Sequence, residues 1–256
     1  MRRLFLLVLF FTQFAFAENT TYVYNITKEQ AVIEINPSKI RSIASITKLM
    51  TATVVLSRED MPLNEKVKYR GSKNVPPGML TRDQLLSLML VKSDNSAANA
   101  LAESFPYGGR DEFIHQMNLK AKELGMHDTR YEDPSGLGRW NLSTAKDLVT
   151  LLVKAHEYPK IKQIASSPDY RINVYVKKKK KKTSNNRTVT VNNTSKKLLD
   201  DFTEIEISKT GFTNPAGRCL VLFVHKGDEN YGIVILGLNS KEQVQKTARK
   251  ILKEAI

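Results

Sequence analysis

The stretch that decides the fold is SIASITKLMTATVVL, residues 42–56, in which a polar start leads into a nearly continuous apolar run. The apolar side chains from Leu49 to Leu56 are typical of a buried helix, and we predict that this helix begins at Ala44 or Ser45. Lys48 lies three residues after Ser45, so the two side chains share a helix face. A lysine beside an apolar run costs free energy unless its charge has a partner. Lys48 therefore either reaches water at the edge of the run or is held beside Ser45 for chemistry.

The N-terminal segment, MRRLFLLVLFFTQFAFA at residues 1–17, has two arginines, a short apolar core and a small-residue ending. This pattern predicts a secretory signal peptide. We expect residues 18–256 to be secreted to the periplasm or cell envelope, with no transmembrane segment, because no later stretch reaches about 18 consecutive apolar residues. Cys219 is the single cysteine and cannot form an internal disulfide, so the exported fold must rely on its core.

The formal net charge is +14, and a basic exported protein is attracted to anionic polymers. The sequence has no nucleic-acid-binding motif, so we expect no nucleic acid partner. The run Lys177 to Lys182 is interpreted as a solvated hairpin tip, with an electrostatic contact to an anionic surface as the alternative. The four histidines have no ligand spacing, so we expect no metal, and nothing in the sequence calls for a cofactor.

The hydrophobic period changes along the chain. Residues 22–36 alternate like a strand hairpin, the middle of the chain has helical periodicity, and from about residue 165 the period becomes two again. These patterns predict one domain over 18–256 of α/β (α+β) class, with an antiparallel sheet flanked by helices. The sheet part would cover about 18–60 and 165–256, and an inserted all-helical subdomain would cover about 61–164.

Two further motifs bear on the pair at Ser45 and Lys48. The tripeptides SDN at 93–95 and KTG at 209–211 each occur once. A serine hydroxyl needs a base to become a nucleophile, and a partly desolvated lysine with a lowered pKa can serve. Ser-x-x-Lys, Ser-Asp-Asn and Lys-Thr-Gly in this order are the motif set of the penicillin-binding and serine β-lactamase group.

With these motifs the sequence resembles the low-molecular-weight penicillin-binding proteins, which are D-alanyl-D-alanine peptidases, over nearly all of residues 18–256. The segments ASITKLMTA, LVKSDNSAANALAE, MNLKAKELGM, DPSGL and KTGFTNPAGRCLV are similar to the small D-alanyl-D-alanine endopeptidases. The resemblance implies a DD-peptidase/β-lactamase-like fold, peptidoglycan peptides as substrates and β-lactams as covalent inhibitors.

The resemblance also orders the functional alternatives. Cross-link endopeptidase is favoured over D-alanyl-D-alanine carboxypeptidase, because the carboxypeptidases often add a β-rich domain after the segment that ends here. A basic wall-binding protein without catalysis is the alternative from another class. Residues after DPSGL offer no Glu-x-x-Asn arrangement, so we expect penicillin to be bound covalently and cleared slowly.

Four catalytic roles are implied by the resemblance. Ser45 would attack the carbonyl carbon of a D-alanyl residue, with neutral Lys48 as its base. Ser93 would pass a proton to the leaving amine, and Lys209 would disfavour a second charge on Lys48.

The substrate contacts are implied in the same way. Asn95 would pair with a backbone amide of the substrate, and Thr210 with Lys209 would hold a substrate carboxylate. Gly211, which has no Cβ, would let substrate backbone lie against the strand. The backbone N–H groups of Ser45 and Phe212 would form the oxyanion hole.

Overall fold

The computed structural model describes residues 19–177 and 184–256. The predicted signal peptide and Lys178 to Lys182 lie outside these described residues, so the signal peptide and the surface role of the lysine run stay predictions. Within the described ranges, no helix is both long and apolar enough to cross a membrane.

The strands alternate with helices in an order that leaves most strands near the two ends of the chain. The strands are β1 (Thr20–Asn25), β2 (Gln30–Ile35), β3 (Arg41–Ser42), β4 (Lys66–Tyr69), β5 (Gly78–Thr81), β6 (Leu142–Ser143), β7 (Asp169–Lys177), β8 (Ser184–Asn192), β9 (Ile205–Thr213), β10 (Gly217–Lys226) and β11 (Glu229–Leu238). The helices are α1 (Thr47–Leu56), α2 (Arg82–Val91), α3 (Asn95–Glu103), α4 (Gly109–Glu123), α5 (Ala145–His156), α6 (Pro159–Ala165), α7 (Lys196–Asp201) and α8 (Lys241–Lys250).

The main sheet joins the two ends of the chain. Its described strands are antiparallel neighbours in the order β2-β1-β11-β10-β9, so the N-terminal hairpin pairs with the last strand. The middle of β10 and β11 is buried on both faces, because α5 packs on one face and α8 on the other. The predicted fold class, an antiparallel sheet flanked by helices, is confirmed.

Two helix starts follow from local chemistry. Thr81 is the N-cap of α2 and forms a capping box with Gln84, as its position before the apolar run predicts. The start predicted at Ala44 or Ser45 differs in detail. Residues Ala44–Ile46 form a 3₁₀ turn and α1 begins at Thr47, because Ala44 has φ +48 and cannot continue an α-helix.

Strand pairing differs from the expectation in two places. The strands β7 and β8 pair only with each other among the described elements, and they pack beside α2 and β5 instead of extending the main sheet. The turn at Ala44–Ile46 packs against β9 at Gly211. The segment expected to be all-helical contains the short hairpin of β4 and β5. A period of two predicts strands but does not choose their partners.

The buried face of α5 should carry much of the stability of the helix–sheet layer. Leu152 is fully buried in the core beneath the sheet, whereas the next residue, Val153, is 37% exposed. We expect Leu152→Ala to lower the free energy of unfolding by about 2–5 kcal/mol, because it removes buried methyl groups and leaves a cavity. Urea unfolding followed by circular dichroism measures the change, with Val153→Ala as the matched control. Equal losses in the two variants would contradict this packing.

Candidate active site

The turn that carries Ser45 is held in a strained shape. Ala44 has φ +48, a conformation that costs a non-glycine residue on the order of 1 kcal/mol. Thr47 Oγ1 donates a hydrogen bond of 2.8 Å to the Ala44 carbonyl and closes the turn from inside α1. Gly136 lies against the same carbonyl, and an added Cβ would be 1.9 Å from the Ala44 oxygen. Ser45 thus sits at the entrance to α1, where backbone N–H groups lack helical partners.

Lys48 is fully buried directly behind Ser45. Its Nζ is 2.9 Å from Ser45 Oγ and 2.7 Å from Asn95 Oδ1, and it also donates to the Ser135 carbonyl. Burial lowers the pKa of Lys48 to about 7, although the carboxylates of Asp133 and Asp94 oppose the shift. A lysine with that pKa is partly neutral near physiological pH and can accept a proton from the adjacent hydroxyl.

The Ser-Asp-Asn tripeptide connects α2 to α3 and points its outer residues in two directions. Ser93 has φ +61, a second strained position beside the cleft. Asp94 is the N-cap of α3, because its carboxylate accepts a 2.9 Å hydrogen bond from Ala97 N. It also accepts a 3.0 Å hydrogen bond from Tyr69 Oη. This anchoring holds Asn95 against Lys48 and leaves Ser93 free to face β9.

Lys209 is the second fully buried lysine of the site. Its Nζ is 2.8 Å from both Ser93 Oγ and the Thr210 carbonyl. Burial lowers the pKa of Lys209 well below its usual range, and the nearby charge of Lys48 lowers it further. Two buried lysines in one site disfavour simultaneous protonation, because like charges repel strongly at low dielectric.

The next three residues of β9 form one wall of the cleft. Thr210 Oγ1 donates a hydrogen bond of 2.7 Å to Thr194 Oγ1. A Cβ on Gly211 would lie 3.0 Å from the Ser45 backbone nitrogen, so the absence of a side chain lets the strand approach the turn. Phe212 is half exposed, and the Arg218 guanidinium carbon lies 3.9 Å from its ring centroid. The strand β9 and the turn at Ala44–Ile46 therefore meet where the backbone N–H groups of Ser45 and Phe212 are predicted to bind the oxyanion.

The structure brings the predicted residues to one cleft. A cavity of about 300 Å³ is lined by Ser45, Ser93, Thr210, Gly211 and Phe212. Three further side chains lie behind this lining. Lys48 contacts Ser45, Lys209 contacts Ser93, and Asn95 contacts Lys48. Residues more than 160 positions apart in sequence thus assemble around one hydroxyl.

The DPSGL loop belongs to the site although the sequence interpretation gave it no catalytic part. The Asp133 carboxylate accepts hydrogen bonds from Ser135 N (2.7 Å), Gly136 N (2.8 Å) and Gly138 N (2.7 Å), and from the side chains of Ser135 and Asn141. Burial opposes ionisation, yet these bonds lower the pKa of Asp133. The signal that could have identified this role is the short Asp-Pro-Ser-Gly turn, because aspartate often accepts from backbone N–H groups just after it.

Known proteins share this fold and sequence. The profile of peptidase family S11, described as D-alanyl-D-alanine carboxypeptidase, matches residues 16–240. The D-alanyl-D-alanine endopeptidase of Escherichia coli K12 is 35% identical over 241 residues, covering 86% of this chain and 71% of that protein. The D-alanyl-D-alanine endopeptidase of Pseudomonas aeruginosa is 40% identical over 197 residues, covering 73% of this chain and 60% of that protein.

Solved structures agree with the sequence relatives. The Streptomyces K15 DD-transpeptidase superposes with a TM-score of 0.82 at 27% identity, covering 91% of this chain and 94% of that one. Penicillin-binding protein D2 from Listeria monocytogenes, in a cefotaxime-bound form, gives a TM-score of 0.77 at 27% identity, covering 91% of this chain and 95% of that one. The fold is therefore that of the serine DD-peptidases. The chain belongs to the D-alanyl-D-alanine carboxypeptidase family, peptidase family S11, and the resemblance found in the sequence is confirmed.

Gly136 should be irreplaceable at the contact with the Ser45 turn. It has φ +79, and a Cβ would collide with the Ala44 carbonyl. We expect Gly136→Ala to lower the free energy of unfolding by roughly 2–5 kcal/mol, the combined cost of a strained φ and of overpacking. Urea unfolding measures the loss, and the rate of Ser45 acylation by labelled penicillin should fall with it.

Gly125 provides the matched control for this substitution. It has φ +74 but nothing within 4 Å of an added Cβ, so Gly125→Ala isolates the strain without the collision. We expect a loss of about 1 kcal/mol there. If the two variants lost the same stability, the close packing of Gly136 on the turn would be wrong.

Proposed function

We propose that this chain hydrolyses D-alanyl peptide bonds of peptidoglycan through an acyl-enzyme on Ser45. The observation that carries the proposal is the 2.9 Å contact between Ser45 Oγ and Lys48 Nζ, made by a buried lysine whose pKa is lowered to about 7. A hydroxyl beside a partly neutral amine is an activated nucleophile. Membership of a peptidase family that acts on D-alanyl bonds supplies the substrate class.

Acylation begins at Ser45. Its Oγ forms a bond to the carbonyl carbon of the D-alanyl residue while its proton passes to Lys48 Nζ. The backbone N–H groups of Ser45 and Phe212 bind the negative oxygen that develops, an interaction whose loss typically costs about 10²–10³ in rate. Gly211 supports this role, since it allows the backbone of β9 to approach the Ser45 nitrogen.

Breakdown of the tetrahedral species needs a proton on the leaving nitrogen. Ser93 Oγ, which accepts from Lys209 Nζ at 2.8 Å, gives its proton to that nitrogen as the carbon–nitrogen bond breaks. The proton taken by Lys48 returns to the Ser93 oxygen, so the net transfer is from Ser45 to the leaving amine. Water then attacks the ester carbonyl carbon and gives a proton to Lys48. Lys48 passes that proton to Ser45 Oγ as the bond between the carbonyl carbon and Oγ breaks, and the acid product leaves.

The finer assignment is cleavage of cross-links, an endopeptidase activity. Two relatives at 35% and 40% identity are named D-alanyl-D-alanine endopeptidases, whereas a relative from Bacillus subtilis at 26% identity is named a carboxypeptidase. Carboxypeptidase activity is the second candidate, because the acylation chemistry is the same for both bonds. Substrates of this kind place the enzyme in the periplasm or cell envelope.

We also infer that β-lactams acylate Ser45 and are released slowly. The cefotaxime-bound neighbour supports binding of this inhibitor class. Fast release would need a carboxylate free to activate water. Asp133 has its oxygens occupied by hydrogen bonds, and Glu157 is exposed and paired with Lys154 at 2.6 Å.

Digestion of intact peptidoglycan tests the function directly. We expect purified residues 18–256 to convert cross-linked dimers to monomers without releasing free D-alanine, as measured by mass analysis of the products. Ser45→Ala should abolish the conversion, because it removes the hydroxyl that contacts Lys48 Nζ at 2.9 Å and forms the acyl-enzyme. Release of D-alanine with dimers left intact would make the enzyme a carboxypeptidase. Activity retained in Ser45→Ala would refute the acyl-enzyme on that residue.

The pH dependence of acylation tests the base. Lys48 must be neutral to accept a proton, so the acylation rate with labelled penicillin should rise between about pH 6 and 8, with its midpoint near the Lys48 pKa of about 7. Lys48→Ala should lower the rate by about 10²–10⁴. Lys146 is the control, because it follows Ser143 at the same spacing but is exposed. A flat profile, or equal effects of Lys48→Ala and Lys146→Ala, would exclude Lys48 as the base.

A further inference from the structure

The cleft does not end at Lys-Thr-Gly. The cavity of about 300 Å³ that holds Ser45 and Ser93 continues past β9 to Arg218 of β10 and to Lys241 and Gln245 of α8. A cavity of this size can hold a peptide segment, and the proposed acyl transfer uses only the end near Ser45. The remaining part is bordered by two cationic side chains.

The position of Ser93 identifies which side of the scissile bond this extension serves. Ser93 is proposed to protonate the leaving nitrogen, and it lines the same cavity as Arg218 and Lys241. A separate cavity, lined by Asn99, Arg110 and Ser135 among others, lies behind the carbonyl that contacts Lys48. Arg218 pairs with Phe212 across β9 and β10, close to Thr210, which is predicted to hold the carboxylate beside the leaving nitrogen, so the basic extension lies on the leaving-group side.

Two buried polar atoms of the extension have no hydrogen-bond partner in the described part of the chain. Arg218 stacks on Phe212, yet its Nε is buried without a hydrogen-bond acceptor in the described part of the chain. Gln245 Oε1 is buried and has no donor there. Lys241 is exposed at the first turn of α8, and none of the residues that line this cavity is acidic. A buried polar atom without a partner costs free energy, which a ligand that supplies the partner recovers.

These groups match a peptide strand that carries a carboxylate. A guanidinium and an ammonium bind carboxylate oxygens through charge-assisted hydrogen bonds, and the amide oxygen accepts from a peptide N–H. A free D-alanine leaving group has one carboxylate, next to the scissile nitrogen, where Thr210 and Lys209 are predicted to hold it. A cross-link instead releases a whole peptide strand, which has a further carboxylate, such as its own C-terminus.

We propose that Arg218, Lys241 and Gln245 form a subsite for the leaving strand of a cross-link. The subsite recognises a carboxylate farther along that strand than the one beside the scissile nitrogen. It determines specificity by favouring cross-linked dimers over peptides that end in D-alanyl-D-alanine. This inference rests on the proposed function, because the leaving side is defined by the role of Ser93.

Kinetics on three substrates test the subsite. The substrates are a purified cross-linked dimer, the same dimer amidated at every carboxylate except the one beside the scissile nitrogen, and a short acylated D-alanyl-D-alanine peptide. We compare the wild type with Arg218→Gln, Lys241→Gln and the double variant. Lys250→Gln is the control, because Lys250 is exposed at the other end of α8.

We expect the double variant to lose about 10–100-fold in kcat/KM on the dimer, the size of one or two charge-assisted hydrogen bonds. Its loss on the short peptide should stay below about threefold, the range of an altered surface charge. Amidation of the dimer should lower the kcat/KM of the wild type by a similar factor. It should change the kcat/KM of the double variant little, because that variant already lacks the side chains that bind the carboxylate. Lys250→Gln should behave as the wild type on all three substrates.

Other outcomes overturn the subsite. Equal losses on the dimer and the short peptide would show that Arg218 and Lys241 support acylation in general. No loss on the dimer, or an amidation effect that persists in the double variant, would place the carboxylate elsewhere. Failure of the proposed function is distinguishable, since the wild type itself would then leave the dimer intact. Acylation of each variant by labelled penicillin verifies that it is folded.

Discussion

The structure depends on burying two lysines within one site. Lys48 and Lys209 are both fully inaccessible to solvent, and two full positive charges there would cost several kcal/mol each. The site meets this constraint by placing oxygen acceptors around each Nζ. Ser45, Asn95 and the Ser135 carbonyl surround Lys48, while Ser93 and the Thr210 carbonyl surround Lys209. The same burial that is costly for stability lowers the pKa of each lysine, which is what acid–base chemistry at neutral pH requires.

Two strained backbone positions lie beside these lysines. Ala44 and Ser93 both adopt positive φ without being glycine, and each lies next to or within a motif. Such positions persist only where surrounding contacts compensate for them. Gly136 and Gly211 let two backbones close on the Ala44 turn, and the Asp94 cap fixes the loop of Ser93. Loops and strand are thereby preorganised around the Ser45 hydroxyl before substrate arrives.

The cleft is asymmetric, and the asymmetry bears on which bond is cut. The side beyond Lys-Thr-Gly is basic and has unpartnered polar atoms, while the side behind the DPSGL loop is bordered by both acidic and basic groups. Relatives named endopeptidase and carboxypeptidase share the acylation motifs, so the motifs cannot separate the two activities. In the subsite that we propose, groups on β10 and α8 contact the leaving strand and separate the two activities.

The sequence by itself determined the elements and the motifs. Alternation predicted the hairpin of β1 and β2, Thr81 identified the start of α2, and the order of the three motifs identified the family. The tertiary structure alone decided that β7 and β8 form a separate sheet, that Asp133 organises the loop behind Lys48, and that Arg218 and Lys241 line the same cavity. Periodicity and capping are local properties that neighbouring residues reveal. Strand partners, burial and the charges around a cavity depend on residues distant in sequence, and only folding brings those residues together.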